Sequence, residues 1–490
     1  MPDNLRVLFI ASEAAPYAKT GGLGDVSGAL PAYLHQAGVD VKTVIPLYRS
    51  IDRERYGITR LFETSCVKMG NCEEFYSVYH TNQPTGNDVY FIDFAKYFDR
   101  AGIYFDASGD YFDSAYRYSF LCRAAMQLAK DLNFKPDILH ANDWQTSFAC
   151  YYLKSENDEF FANTKSVFTI HNIGYQGIYE ADVLDYAKIR YDDFSSWGFE
   201  SFGKMNLMKA GICYADKITT VSPHYAEEIL GPIGSNGLHM YLEARRNDLV
   251  GILNGCDTKV WNPATDKYIP ANYDLNSYKD GKAFNKKVLQ NMFLLEENPN
   301  VPVFGFIARL TPQKGIDLLA PVVERVINSM ACQIVFLGSG EEWAQWYFGG
   351  LPARYPGRIG AYIGYSEDKS HLIEAGSDFF LMPSIYEPCG LNQMYSQLYG
   401  TLPIVRATGG LDDTVSNYSE QAGMGTGFKF WDISTDALYN TIGWANATYY
   451  DRKDDMHNMI RESMIKDYSW EKACAKYIRL YRDMLPFDRF

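Results

Sequence analysis

A chain of 490 residues is longer than one ordinary core can serve, so two or three domains are expected, and its 47% hydrophobic residues are enough to fill them. A net charge of −14 argues against nucleic acid or an anionic membrane as the main partner, while leaving room for a local basic site that takes a phosphorylated ligand. Nine cysteines without a C-x-x-C pair give neither a disulfide framework nor a zinc pattern, and no apolar stretch nears the ~20 residues of a membrane span, which predicts a soluble, cytoplasmic protein.

Residues 5–11 form a short apolar run of strand formers, and residues 26–37 carry helical spacing with Leu30 and Leu34 on one face. Between them lies Lys19-Thr20-Gly21-Gly22-Leu23-Gly24-Asp25. Its glycines let the backbone approach a ligand, the helix start offers N–H groups to an anion, and Lys19 adds a point charge, so a diphosphate fits here. A tight turn without a ligand is the alternative. The lysine precedes the glycines, which excludes a Walker A loop, and the third glycine of the dinucleotide fingerprint is missing. Residues 40–46 read as a second strand, making the opening a βαβ unit. Residues 60–95 alternate like a meander with turns at Gly70-Asn71 and Gly86-Asn87-Asp88, residues 97–117 read as a surface excursion, 118–132 as a helix and 136–140 as a return to the sheet.

His140-Ala141-Asn142-Asp143-Trp144-Gln145 stands at the end of that strand, and the strand at 166–170 runs likewise into His171-Asn172. In open α/β sheets ligands gather beyond the carboxyl ends of strands, so both clusters are site candidates; helix capping around a satisfied core histidine is the alternative. Residues 182–209 read as a mobile or irregular insertion, 216–223 as a strand running into polar residues, 250–257 as a short strand closed by a turn, and 261–278, poor in periodicity and rich in turn formers, as the connection between domains. A second α/β series follows, with strands at 301–308, 331–340 (ending in a glycine turn), 378–384 and 402–406, helices over 314–328 and 392–399, and a last helix over 468–484. Two doubly wound domains leave a cleft suited to bringing two substrates together away from water.

Arg309 and Lys314 follow a strand in Ala308-Arg309-Leu310-Thr311-Pro312-Gln313-Lys314-Gly315, where two cations can neutralise a departing diphosphate unless they are simply unpaired surface charges. In Ser384-Ile385-Tyr386-Glu387-Pro388-Cys389-Gly390-Leu391, a carboxylate held by the following proline can face a sugar, and the amides of Cys389, Gly390 and Leu391 can hold a phosphate. Thr408-Gly409-Gly410-Leu411 adds one more glycine turn.

Together with His171-Asn172 and Asn254-Gly255, these motifs in this order closely resemble the bacterial glycogen synthase and plant starch synthase family over almost the whole chain. The resemblance implies an α/β GT-B fold: two doubly wound, Rossmann-like domains, 1–258 and 259–467, facing a deep interdomain cleft, with a C-terminal helix at 468–490 crossing back to the first. It implies transfer of glucose, with retention at the anomeric carbon and no metal or other cofactor, from ADP-glucose to the non-reducing end of an α-1,4-glucan. Residue types alone leave UDP-glucose open as the donor. On the matching positions, Lys19, Gly22 and Asp25 are implied near the donor diphosphate, with Arg309 and Lys314 on the leaving group. Cys389, Gly390, Leu391, Thr408 and Gly409 are implied around the phosphate or sugar, Glu387 against the glucose, His171 and Asn254 near its C6 hydroxyl, and Tyr365 on the adenine. Asp143 and Trp144 are implied on the acceptor side.

Relatives acting on sucrose, trehalose or lipid acceptors carry a second Glu eight residues after the first, where this chain has Tyr395; that favours a glucan acceptor. The chain also departs from its own family's pattern. Asn142-Asp143-Trp144-Gln145 replaces His-Asp-Trp-His, Ser114 replaces an Asn, and Asn392 replaces a Thr. A binding-only homologue acting as a scaffold and a transferase with a non-glucan acceptor are the competing readings.

Overall fold

The computed structural model describes residues 4–82, 86–107 and 109–486. They form two compact units, one made of Met1–Val221, Ala226–Ile252 and Trp470–Phe490, the other of Ser222–Tyr225 and Leu253–Ser469.

The first unit is built on a nine-stranded sheet in the order Leu249–Gly251, Lys217–Thr220, Lys165–Ile170, Ile138–Asn142, Arg6–Ile10, Asp40–Pro46, Asp88–Asp93, Cys72–Asn82, Thr59–Met69. Pairing is parallel from the first of these through Asp88–Asp93, and the last two strands form an antiparallel hairpin at the edge. The central strand is buried on both faces, which is why Val7-Leu8-Phe9-Ile10 reads as an unbroken apolar run, whereas the edge hairpin exposes much of one face. The first helix spans Gly22–Gln36 and buries Leu23, Val26, Leu30 and Leu34. The terminal helix Trp470–Asp483 packs against it and buries Tyr477 and Tyr481 completely.

Two irregular stretches are more firmly built than expected. The excursion at 97–117 is anchored by buried Tyr97, Phe98 and Tyr111, and its following helix begins at Ser114, four residues before Tyr118. The insertion at 182–209 is irregular but packed: Glu200–Ser201 and Lys204–Asn206 join Ile178–Tyr179 in a small sheet, with Val183, Phe199 and Met205 buried.

The second unit carries a six-stranded, all-parallel sheet in the order Ile359–Ile363, Gln333–Gly338, Val303–Ile307, Phe379–Met382, Leu402–Arg406, Phe428–Phe430. In chain order that is 3-2-1-4-5-6, the doubly wound arrangement, with an apolar cluster on each face. Residues 261–278, expected to connect the domains, lie wholly inside this unit, and the chain passes between units at Ile252 and Leu253. Aromatic residues hold the stretch down. Tyr273 and Tyr278 are buried with Ile269 beside Ala375 and Tyr399, and the Trp261 ring lies flat between His371 and Tyr395 at 3.7 and 4.1 Å. Among the described residues no helix is long and apolar enough to cross a membrane.

Candidate active site

In the second unit the strand order reverses between Val303–Ile307 and Phe379–Met382, so a ligand belongs outside their carboxyl ends. A cavity of about 290 Å³ opens there, with Arg309, Lys314, Ser339, Tyr365, Ser384 and Glu387 in its wall. Lys314 is placed by the turn Pro312–Lys314 and by Gly315, whose φ of 75° and contact with the Pro383 carbonyl, 2.0 Å from where a Cβ would stand, admit only glycine. Its ammonium lies 2.5 Å from Glu387 Oε2, which also accepts from Ser384 Oγ at 3.1 Å; Glu387 is 6% exposed. Arg309 is exposed, and its guanidinium has no hydrogen bond or ion pair among the described residues.

The turn after Glu387 is clamped from behind. Gly410 N–H donates to the carbonyls of Glu387 and Pro388 at 3.1 and 3.2 Å, and Arg406 Nε donates to the Ser384 carbonyl at 3.0 Å. Cβ atoms at Gly409 and Gly410 would fall 2.1 and 2.0 Å from the Glu387 and Cys389 oxygens, so this turn needs both glycines, which follow Thr408 at the start of the short helix Gly409–Thr414. Asn392 Nδ2 donates to the Ile307 carbonyl at 3.1 Å, tying the turn's helix to the end of the central strand. Burial pushes the Cys389 thiol up to about 12, which keeps it protonated and no nucleophile. Asn254 is buried, and its Oδ1 has no hydrogen-bond partner among the described residues. An unsatisfied buried acceptor is costly and points to an incoming hydroxyl. Tyr365 stands at the rim, 79% exposed.

In the first unit the order reverses between Arg6–Ile10 and Ile138–Asn142. The glycine loop follows the first of these strands, braced by buried Glu13, which accepts from the Thr20 backbone N–H, from Thr20 Oγ1 at 3.0 Å and from the Tyr104 hydroxyl at 3.0 Å. Burial raises the Glu13 pKa. Sequence reasoning missed this residue, although an acidic side chain seven positions before Thr20 is the available signal. Lys19 Nζ meets Asp25 Oδ1 at 2.7 Å, half in solvent. The glycines divide by role: a Cβ at Gly24 would crowd Lys19 and Glu13, whereas Gly21 and Gly22 face open space at a helix start without a side-chain cap.

The second strand leads to Asp143, whose φ of 57° is a strained value for a residue with a side chain. Asp143 Oδ1 accepts from the His171 backbone N–H at 2.8 Å, and burial pushes its carboxyl up to about 7. His171 Nε2 lies 3.0 Å from Asn142 Oδ1, and burial holds the imidazole down to about 3, hence neutral. His140, by contrast, is a satisfied core histidine, bonded to the Tyr481 hydroxyl at 2.7 Å and to Thr169 Oγ1 at 2.6 Å. Trp144 is 8% exposed, with its ring against Tyr118, Tyr179 and Gly177. Among the described residues no His, Cys, Asp and Glu group is arranged to hold a metal ion.

Residues 6–244 match the family described as the starch synthase catalytic domain, and residues 290–445 match glycosyl transferases group 1. The chain is 45% identical over 481 residues to glycogen synthase 1 of Geobacter sulfurreducens, covering 97% of this chain and 96% of that protein. It is 44% identical to the glycogen synthase of Treponema denticola, over 98% of this chain and 99% of the relative, and 41% identical to that of Thermotoga maritima with the same coverage. Among solved structures, the catalytic domain of starch synthase IV from Arabidopsis thaliana bound to ADP and acarbose superposes with a TM-score of 0.89 at 31% identity, over 98% of this chain and 99% of that one. Sucrose-phosphate synthase from Thermosynechococcus elongatus shares the fold, with a TM-score of 0.59 at 16% identity over 98% and 99%.

Proposed function

The chain belongs to the bacterial glycogen synthase and plant starch synthase family of GT-B glycosyltransferases, and from that premise we infer how its residues carry out a retaining glucosyl transfer from ADP-glucose to the non-reducing end of an α-1,4-glucan. The observation that carries the assignment of roles is the switch-point cavity of the second sheet, where Arg309, unpartnered among the described residues, and a Glu387-held Lys314 share one wall.

In the reaction the bond from glucose C1 to the β-phosphate oxygen breaks, and the diphosphate leaves with the electron pair. The acceptor 4-hydroxyl attacks C1 from the same face, and its proton passes to the departing phosphate oxygen. Charge develops on the diphosphate and on an oxocarbenium-like ring, so cations belong on the former and polar groups around the latter. In the second unit Arg309, Lys314 and the amides of Cys389, Gly390 and Leu391 take the diphosphate; in the first, Lys19 and the open backbone at Gly22 offer a diphosphate the same chemistry. Asp25 orients Lys19, as its 2.7 Å contact supports. Glu387 holds Lys314 with one oxygen and sugar hydroxyls with the other. In the second unit Asn254 Oδ1 accepts from a sugar hydroxyl near C6, Thr408 and Gly409 shape the turn beneath the sugar and Tyr365 covers the adenine; in the first, the neutral His171 ring is suited to a hydroxyl near C6 and Asp143 serves the acceptor side through the His171 backbone.

The test is elongation of maltoheptaose by the purified protein supplied with radiolabelled ADP-glucose or UDP-glucose. Longer glucans from ADP-glucose, and far fewer from UDP-glucose, are expected. No elongation with either donor overturns the reading.

A further inference from the structure

We propose that Asn142 is a positioning residue that fixes the neutral His171 ring as its Nε2–H tautomer, so that the site presents the Nδ1 lone pair as a hydrogen-bond acceptor to the donor sugar. Asn142 Nδ2 lies 3.0 Å from the Ile10 carbonyl at the end of the neighbouring strand, and also reaches the His140 carbonyl at 3.5 Å. A carbonyl only accepts, so the amide nitrogen must face Ile10 and the amide oxygen must face the other way. That oxygen is the atom 3.0 Å from His171 Nε2. It too only accepts, so Nε2 carries the proton.

Asn142 is fully buried in the sheet, and the Asp143 carboxyl takes the His171 backbone N–H at 2.8 Å, so ring and backbone are both held. The other ring nitrogen, Nδ1, has no hydrogen-bond partner among the described residues. Burial keeps the ring neutral, so its one proton is committed to Asn142. A sugar hydroxyl meeting Nδ1 must therefore donate.

The consequence for specificity rests on the proposed contact of His171 with the C6 hydroxyl. The site recognises a hydroxyl by its hydrogen. A group at C6 that can only accept, whether fluorine or a carboxylate, meets a lone pair and is rejected.

Two measurements separate the tautomer from the sugar contact. The first is nitrogen NMR of histidine-labelled protein, with the His171 signals assigned by their loss in His171→Gln. Wild type should show a protonated Nε2 and an unprotonated Nδ1, unchanged from pH 5 to 8. Asn142→Ala, and Asn142→Leu where the smaller side chain disturbs folding, should abolish that single-tautomer pattern. A protonated Nδ1 in wild type, or an unchanged pattern in a folded Asn142 variant, overturns the proposal. The second is kcat/KM for ADP-glucose against its 6-deoxy and 6-deoxy-6-fluoro analogues. Both should fall together, by roughly 10- to 100-fold, as expected when one hydrogen bond to the site is lost. A fluoro analogue that keeps the activity lost by the deoxy analogue shows that His171 donates, and overturns the proposal. If neither analogue differs from ADP-glucose while the NMR pattern holds, the C6 contact is wrong and the role of Asn142 on the ring stands.

Discussion

Arg309 and Lys314 carry the same charge but are held differently, and that separates the effects of removing them. Arg309 is exposed with no side-chain partner among the described residues, so Arg309→Ala should leave stability within about 0.5 kcal/mol of wild type while lowering kcat roughly 100- to 1000-fold, the scale for a lost group that stabilises charge in the transition state. Lys314→Ala should lower kcat as far, and should also destabilise by about 1–3 kcal/mol, because it strips buried Glu387 of its counterion. ADP release and urea unfolding read the two quantities separately; wild-type turnover in Arg309→Ala would remove it from the leaving-group site. Asp143 gives the residue-scale pH prediction. Its carboxyl is raised from 3.8 to about 7 by burial, so the folded state holds the proton more tightly than the unfolded chain. The stability this contributes is complete below the unfolded value and is lost as pH rises through about 7. Asp143→Asn keeps an acceptor for the His171 N–H and has no proton to lose. It should therefore gain on wild type steadily between about pH 4 and pH 7, by about 4 kcal/mol at the upper end. Urea unfolding of both proteins across that range checks it, and parallel curves would show that the carboxyl is not desolvated as the geometry requires.

At the scale of elements, the glycine loop and the Thr408-Gly409-Gly410 turn look alike in sequence and differ in what surrounds them. Gly22 opens its helix with no atom of the described residues within 4 Å of where a Cβ would stand, so Gly22→Ala should keep or slightly raise the melting temperature, while its KM for ADP-glucose rises about 10-fold if the donor occupies that space. A Cβ on Gly410 would stand 2.0 Å from the Cys389 oxygen, and a backbone atom cannot yield cheaply; Gly410→Ala should cost about 1–3 kcal/mol and lower kcat. Thermal unfolding and saturation kinetics on the same preparations distinguish them, and an unchanged KM in Gly22→Ala would take the loop away from the donor. What the sequence made legible follows the same physics. Asp40–Pro46 is readable to the residue because buried Val41, Val44 and Ile45 lie between a polar start and a proline. The first helix is legible only from Val26, four residues late, because glycines carry no apolar period. Residues 261–278 read as a linker because stacking of Trp261 on His371 and Tyr395 is contact across long sequence separation, invisible to local pattern. The motif residues of the cavity wall are legible by resemblance. The groups that aim them, Glu13 behind the glycine loop and Asn142 beside His171, act through hydrogen bonds that only the fold brings together.

For the molecule as a whole, the order of the chain and the order of assembly disagree. The second unit is nearly continuous, and its sheet and both apolar clusters lie within residues 253–469. The first is not, because the helix Trp470–Asp483 that completes it follows the entire second unit. That helix buries Trp470, Ala473, Cys474, Tyr477 and Tyr481, and the Tyr481 hydroxyl holds His140 in the middle of the nine-stranded sheet. Without it, the Gly22–Gln36 helix loses an apolar neighbour and a fully buried imidazole loses its partner, at a cost that a unit of marginal stability cannot absorb. A fragment of residues 253–469 should therefore unfold cooperatively in urea, whereas residues 1–252 should give a broad transition and bind hydrophobic dye. Joining 470–490 to residue 252 through a flexible linker should restore a sharp transition, and Tyr481→Phe in that fusion should lower its stability by about 1 kcal/mol through the lost bond to His140. If residues 1–252 alone unfold as sharply and at the same midpoint as the fusion, the terminal helix is an ornament on a unit already complete, and the long return of the chain has no part in its folding.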